Sequence, residues 1–576
     1  MIGCFLGALT LLTLSAAAPA ATFEHGIAPV TLERRVGTAT LEHGAAPVTL
    51  ERGVVAAPES LASEVGAAVL RQGGNAVDAA VAVHFALAVT FPNAGNLGGG
   101  GFMLVHTDSG DMAIDYRETA PAAVSCDMFL DAGGNVVEGL SLDTHKAAGV
   151  PGSVAGMWLA HQRYGTIPWK RLLEPAIRLA EKGWRLDAWT TAGFAEERRN
   201  NFHDYFHGAT GELLVQKELA AALRRIAEKG RDGFYRGETA RLIAAEMRRG
   251  GGLITLEDLA GYRAEMRTPV EGTYRGCRIV SIPPPSSGGV ALLELLNMME
   301  RFDPARLGHN SADYVHLAAE MEKRVFADRA EYLGDPDSRP VPVETLTSKA
   351  YATARAGEIA MDRRTPPAAI RCGAVTQEGE QTTHFSLADR WGNAVANTTT
   401  LNDRYGSGIV VRGAGFLLNN EMDDFSARPG APNLYGVTGG EANAIAPGRR
   451  MLSSMCPAFV YRDGRLWLVL GTPGGPTIFT TVFQVILNRV DFGMPLAQAV
   501  AAPRFHHQWP PRAGNADPID VERGRELGRV TREGLEAKGY LIRLRDPLGD
   551  VHAIEIVGAT ALGVSDPRGV GHAAME

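Results

Sequence analysis

Residues 378–402 read "EGEQTTHFSLADRWGNAVANTTTLN", and the change of character at Thr382 decides the fold. Before it runs "RTPPAAIRCGAVTQEGEQ", residues 364–381, with paired prolines, several charges and little hydrophobic periodicity. Such a segment buries little surface and reads as a loop. From Thr382 the pattern becomes that of strands. "HFSLAD" alternates apolar and polar, "RWGN" is a turn signal, and "AVANTTTL" returns as a second strand. The bend falls near residues 391 and 392, so paired positions sum to about 782 and Thr400 stands opposite Thr382. Threonine is common in strands, and two facing hydroxyls alone express only β-propensity.

Cleavage of the chain before Thr382 would change their meaning. That residue would then carry both a hydroxyl and a free α-amine. An α-amine has a pKa of about 7.7–8.0, so part of it is neutral near physiological pH and can take the hydroxyl's proton. No histidine is needed for such a nucleophile. The sequence agrees, since it holds no G-x-S-x-G, no H-E-x-x-H and no clustered His/Cys ligands. "NAGNLGGGGF" enters a strand and "GTPGGPT" lacks a following lysine, so neither is a phosphate-binding loop. Both read as tight turns, or as backbone that something approaches closely, and composition alone favours the turn. His506 and His507 are adjacent, fall on opposite faces of a strand, and do not suit a shared metal.

Working outward, "LASEVGAAVLRQGGNAVDAAVAVHFALAVTF" reads as two helices split at Gly73-Gly74, with Asn75 as N-cap of the second. The second, about residues 76–90, is apolar on every side and is expected between layers. His84 within it reads as a satisfied core histidine. "LGGGGFMLVHTDSGDMAIDYRE" gives a strand, a turn at Ser109-Gly110 and another strand. The middle third, including "SADYVHLAAEMEKRVFADRAEYL", is helical with its charge on exposed faces. After Thr382 strands dominate, with helices near "TTVFQVILNRV" and "LAQAVAAPRF". Strands flanked by buried helices imply a layered α/β architecture.

Composition sets the outer limits. Apolar residues at 45% and charged residues at 21% are ordinary for a globular chain. A net charge of −8 over 576 residues, without a basic run, argues against nucleic acid as a partner. The start "MIGCFLGALTLLTLSAAAPAATF" ends an apolar run with Ala18-Pro19-Ala20, a signal-peptidase pattern. The apolar part is shorter than the roughly 20 residues that span a bilayer. Residues 1–20 are therefore expected to be a signal peptide and the protein exported, periplasmic or extracellular, although no Lys or Arg precedes Arg34. Residues 21–52 form an arm containing a duplication, "FEHGIAPVTLER" and "LEHGAAPVTLER", too short for a solenoid. Cys126, Cys277, Cys372 and Cys456 show no C-x-x-C spacing, and their pairing is left open.

From about Gly53 onward, "GGNAVDAAVA", "GNLGGGGFM", "DYRETAP", "TTHFSLAD..GNAVA", "LNNEMDDFS", "SSM", "GTPGG" and "APRFHHQW" occur in order. Together they resemble a γ-glutamyltranspeptidase precursor of the N-terminal-nucleophile hydrolase superfamily. The resemblance implies a four-layer αββα sandwich built jointly by a large segment, 53–381, and a small one, 382–576. It implies self-cleavage between Gln381 and Thr382, leaving the two fragments as a heterodimer, with Thr382 the nucleophile and Thr400 its hydroxyl partner. Gly474 and Gly475 would form the oxyanion hole through side-chain-free backbone. Arg117 would grip a substrate α-carboxylate with its planar fork, helped by Ser453 and Ser454. Asn402, Glu421 and Asp424 would hold the α-ammonium.

Read without the resemblance, Arg117 could pair with Asp115 or Glu118 at the surface, and "EMDD" could be a solvated acidic turn. "RPGAPNLYGVTGGEAN" resembles the lid of many γ-glutamyltranspeptidases, with Tyr435 as its aromatic, and related cephalosporin acylases tend to lack it. The implied activity moves the γ-glutamyl group of glutathione or similar compounds to water, amino acids or dipeptides through a threonyl ester. No metal or organic cofactor is implied. The alternatives are a glutaryl or cephalosporin acylase of the same superfamily and an uncleaved, non-catalytic relative.

Overall fold

The expected hairpin is formed by strands Thr383–Ala388 and Ala394–Thr400, with rungs running from Thr383↔Thr399 to Ala388↔Ala394. Every rung keeps the sum of 782 expected from the sequence. The computed structural model describes residues 48–49, 53–373, 383–428, 431, 433–434, 440–511 and 516–576. The signal-peptide expectation, most of the duplicated arm, Gln381, Thr382 and Tyr435 lie outside these residues.

Both faces of the hairpin are buried. Phe385, Leu387 and Val395 pack toward a helical layer. On the opposite face the His384 ring lies 2.9 Å from Thr398 Oγ1 through Nδ1 and 3.0 Å from Ser386 Oγ through Nε2. This face mixes the hydrogen-bonded cluster with Ala388, Ala394 and Ala396, because polar groups can be buried where they find partners.

The hairpin sits inside a seven-stranded sheet in the order His572–Met575, Val54–Ala57, Thr383–Ala388, Ala394–Thr400, Gly100–Thr107, Gly110–Asp115, Glu265–Arg267. A second seven-stranded sheet runs Val48–Thr49, Thr560–Ser565, His552–Val557, Arg465–Gly471, Ala458–Arg462, Cys277–Ser281, Val270–Tyr274. Ala56, Phe102, Leu104 and Ala396 of the first sheet pack on Val280, Phe459, Val469 and Ile554 of the second. Apolar positions of period two make this seam. Each sheet contains strands from both sides of residue 382, so the two segments share one core.

Helices cover both outer faces and complete the αββα sandwich. Over the first sheet lie Ser60–Arg71 and Ala76–Thr90; over the second lie Gly288–Met299, Ala312–Tyr332 and Thr477–Val490. Ala76–Thr90 is buried along its whole length, as its uniform apolarity requires, and Asn75 and Asp78 close its start as a capping box. His84 is a core histidine, as expected, packed edge-on to Phe85 and Tyr116. Burial lowers its pKa to about 4, so a neutral ring is what the core holds.

Two expectations about the fold are corrected. Helix Ala312–Tyr332 does not keep its charge outside, because Glu320, Glu322, Lys323, Arg324, Asp328 and Arg329 are buried. Lys323 Nζ, for example, donates to Glu320 at 2.8 Å and to Asp517 at 2.7 Å. Buried charge persists only when paired in this way. The described part of the tail, residues 364–373, is a loop as expected, but it is anchored to the body. Thr365 N–H donates to Glu320 at 3.0 Å, Arg364 reaches Asp517 at 3.0 Å, and Trp509 Nε1 donates to the Pro367 carbonyl at 2.9 Å.

The second correction concerns Gly98–Gly101, which form no turn. A Cβ on Gly99 would lie 1.9 Å from the Thr400 carbonyl, and one on Gly98 would lie 2.1 Å from that of Leu417. The run is glycine because backbone meets backbone there. Gly99→Ala is expected to lower unfolding stability by about 3 kcal/mol, the upper end for overpacking a rigid contact. Gly261→Ala, which would meet nothing within 4 Å, is expected to stay within about 0.5 kcal/mol of wild type. Denaturant titration of the pair checks this, and equal stability would refute the close-approach reading.

Candidate active site

Thr400 ends the central hairpin strand, and its Oγ1 accepts the Asn402 N–H at 2.7 Å. A hydroxyl has one proton and two lone pairs, so accepting here leaves its proton to donate elsewhere. Asn402 adopts φ +75° and its amide donates to the Asn420 carbonyl at 2.9 Å. That contact joins the hairpin's end to the short helix Glu421–Asp424. The turn "EMDD" is therefore not solvated; Glu421, Asp423 and Asp424 are buried.

Arg117 is not at the surface either, being 1% exposed. It follows strand Gly110–Asp115, and its two terminal nitrogens donate to Glu421 and Asp424, respectively. Its Nε reaches the Met451 carbonyl at 3.1 Å and Nη2 the Leu452 carbonyl at 3.0 Å. Glu118 stands 3.7 Å from Nη1 and is buried as well, whereas Asp115 accepts the Arg117 backbone N–H and pairs with Arg267 and Arg450. Burial raises the carboxyl pKa of Glu118, Glu421 and Asp424 against the pull of the Arg117 charge. Acceptor atoms of this group, Asn402 Oδ1, Glu421 Oε2 and Asp424 Oδ1 among them, are buried and receive no N–H donor, and the Glu421 and Asp424 carboxyls touch one another. A small cation with several N–H donors, such as an α-ammonium, is the complement such a set lacks.

Ser453 and Ser454 follow directly on Leu452 and are buried. Ser453 Oγ accepts the Met455 N–H at 3.2 Å. Ser454 Oγ accepts Arg329 Nη2 at 2.6 Å. Arg329 was missed by the sequence reading, because charge on a helix of ordinary spacing looks solvated until a partner is seen. The loop that resembles a lid is tied to this site at its described parts. Asp423 accepts the Ser141 hydroxyl at 2.6 Å and the Leu434 N–H at 3.1 Å. Asn443 donates to the Asp424 carbonyl at 2.6 Å. Burial pushes the Asp423 carboxyl up to about 7.

The "TPGG" loop leaves strand Arg465–Gly471 and precedes helix Thr477–Val490. Gly474 and Gly475 have φ of +133° and +60°, a region that disfavours side chains. A Cβ on Gly471 would lie 2.5 Å from the His384 ring, so the strand leading to this loop crosses the hairpin start. His384 itself is no base for the threonines. Both nitrogens engage hydroxyls, and burial with His552 nearby keeps its pKa far below normal. His506 and His507 serve separate partners, Thr480 and Asp517. Cys126, Cys277, Cys372 and Cys456 are unpaired thiols.

The structure thus links Thr400, Asn402, Glu421, Asp424, Arg117, Ser453 and Ser454 in one run of contacts. The Gly474–Gly475 loop belongs to the strand crossing the hairpin. Comparison with known proteins places the whole chain. Residues 62–576 match the Gamma-glutamyltranspeptidase family. The chain is 50% identical over 529 residues to the glutathione hydrolase proenzyme of Pseudomonas aeruginosa, covering 90% of this chain and 94% of that protein. It is 48% identical over 532 residues to the Escherichia coli protein of the same name, covering 90% of each. Among solved structures it is similar to the cephalosporin acylase of Bacillus halodurans, with TM-score 0.81 at 28% identity over 95% of this chain and 99% of that one. It is also similar to the gamma-glutamyltranspeptidase of Pseudomonas nitroreducens complexed with L-DON, with TM-score 0.53 at 47% identity over 55% of this chain and 97% of that one. A sandwich of the N-terminal-nucleophile hydrolase type, this ordered set of buried residues and half-identical relatives lead to one assignment: the chain belongs to the gamma-glutamyltranspeptidase family.

Proposed function

We propose that the protein is a self-maturing glutathione hydrolase and γ-glutamyltransferase. In maturation the Thr382 hydroxyl adds to the Gln381 carbonyl, the peptide nitrogen leaves as the new α-amine, and water resolves the resulting ester. The mature Thr382 α-amine takes the hydroxyl's proton as the oxygen attacks the γ-amide of glutathione. The leaving amine of cysteinylglycine is protonated, and a γ-glutamyl ester remains on Thr382. Water then gives glutamate, or an amino acid or dipeptide gives a new γ-glutamyl peptide. Thr400 supplies a hydroxyl donor to the nucleophile, and the backbone at Gly474 and Gly475 faces the charge developing on the carbonyl oxygen. Arg117, Ser453 and Ser454 receive the α-carboxylate; Asn402, Glu421 and Asp424 receive the α-ammonium. Residues 1–20 direct export and are removed.

The observation that carries the substrate class is the buried cluster of both charge signs next to Thr400. Its cost in desolvation suits a zwitterionic amino-acid end far better than a plain acyl chain. The test compares γ-glutamyl p-nitroanilide with glutaryl p-nitroanilide, which lacks only the α-amine. The γ-glutamyl compound is expected to show a kcat/KM at least about 100-fold higher, the scale set by leaving buried polar groups unpaired. Equal rates, or preference for glutaryl, would make the protein an acylase.

A further inference from the structure

Arg329 comes from the buried helix Ala312–Tyr332 and is 1% exposed. Its guanidinium bridges two loops: Nε donates to Ser287 Oγ at 2.8 Å and Nη2 to Ser454 Oγ at 2.6 Å. Ser287 in turn donates its own proton to the Ser453 carbonyl at 3.0 Å. The backbone ties run the same way, with Ser287 N–H on the Ser453 carbonyl at 2.6 Å and Ser453 N–H on the Pro285 carbonyl at 2.8 Å. The planar fork therefore reads the spacing of two segments at once, which an ammonium could not.

The consequence for Ser454 is directional. A serine hydroxyl has one proton and two lone pairs, and a guanidinium N–H held on its oxygen leaves that proton free to be donated elsewhere. The Met455 N–H does the same to Ser453. Meanwhile Arg117 has its Nε and both terminal nitrogens on Glu421, Asp424 and two carbonyls, so its positive charge is set against two carboxylates. The cation adjoining Ser454 is Arg329.

We infer that Arg329 is a positioning and specificity residue for the substrate α-carboxylate, holding Ser454 as a hydroxyl donor and supplying the second positive charge of that subsite. The inference rests on the γ-glutamyl reading above. A carboxylate entering beside Ser454 then meets an aimed O–H and a buried cation. An analogue without the carboxylate gains nothing from either.

The experiment uses the matured protein and two anilides, γ-glutamyl p-nitroanilide and 4-aminobutanoyl p-nitroanilide, which keeps the amine but lacks the carboxylate. The ratio of their kcat/KM values measures carboxylate recognition. Arg329→Gln is expected to lower this ratio about 10- to 100-fold, mostly through KM, the loss typical of a charge-assisted contact. Arg329→Lys, which can serve one serine but not both, is expected to fall between. Adding Ser454→Ala to Arg329→Gln is expected to lower the ratio little further, since the two act as one unit. Intact mass and a thermal melt report folding and maturation separately. Should the Gln variant fail to fold, the Lys variant and Ser454→Ala carry the comparison, and an unchanged ratio in the Lys variant would refute the role. Equal losses on both anilides would make Arg329 a structural bridge and overturn the inference, leaving the activity intact. A wild-type ratio near one would instead overturn the γ-glutamyl reading itself.

Discussion

Thr382→Ala is expected to purify as one uncut chain, with activity on γ-glutamyl p-nitroanilide reduced by at least about 10⁴-fold, the order seen when a catalytic nucleophile is removed. Wild type is expected to give two pieces by intact mass, the smaller beginning at Thr382 and the larger lacking residues 1–20. The size of the effect follows from the double use of one hydroxyl, which first cuts the chain and then attacks substrate. Alanine removes both events. The buried His384 offers no replacement base, since both its nitrogens engage hydroxyls and its pKa lies far below normal. Thr382→Ser keeps the hydroxyl and is expected to mature, more slowly. A wild-type chain that stays whole, or is cut elsewhere, would remove the mechanism at its first step.

Arg117→Leu is expected to cost both stability and recognition. The substitution removes the guanidinium that Glu421 and Asp424 both accept from and leaves the two carboxyls buried. Breaking a buried ion pair from one side costs about 3–5 kcal/mol, because the remaining charge is uncompensated. The carboxylates relieve part of this by taking protons, which removes the negative charge proposed to hold the α-ammonium. A fall in kcat/KM of about 10³-fold, together with a lowered melting temperature, is therefore expected on γ-glutamyl p-nitroanilide. Arg117→Lys is expected to recover little, since one ammonium does not span two carboxylates and two carbonyls. A variant that melts like wild type and hydrolyses the γ-glutamyl anilide as well would show that the cluster does not serve the substrate. Intact mass and the thermal melt measured alongside separate loss of maturation or fold from loss of recognition.

Local signals in the sequence carried the hairpin, its register and the buried helix. The 782 sum comes from a turn signal and a period of two, and both are properties of neighbouring residues. The uniform apolarity of residues 76–90 likewise leaves no surface on which that helix could meet water. Ordered motifs then identified the family. The fate of individual charges was not legible in this way. Arg117 finds its partners more than 300 residues away, and Arg329 meets Ser454 across 125. Gly99 is glycine because of a carbonyl at Thr400. Sequence spacing encodes the direction of a side chain from its own backbone, which is why strands and helices could be read. Whether a charge pointing that way meets water or a carboxylate depends on which distant segment the sandwich brings against it, and only the tertiary structure decides that.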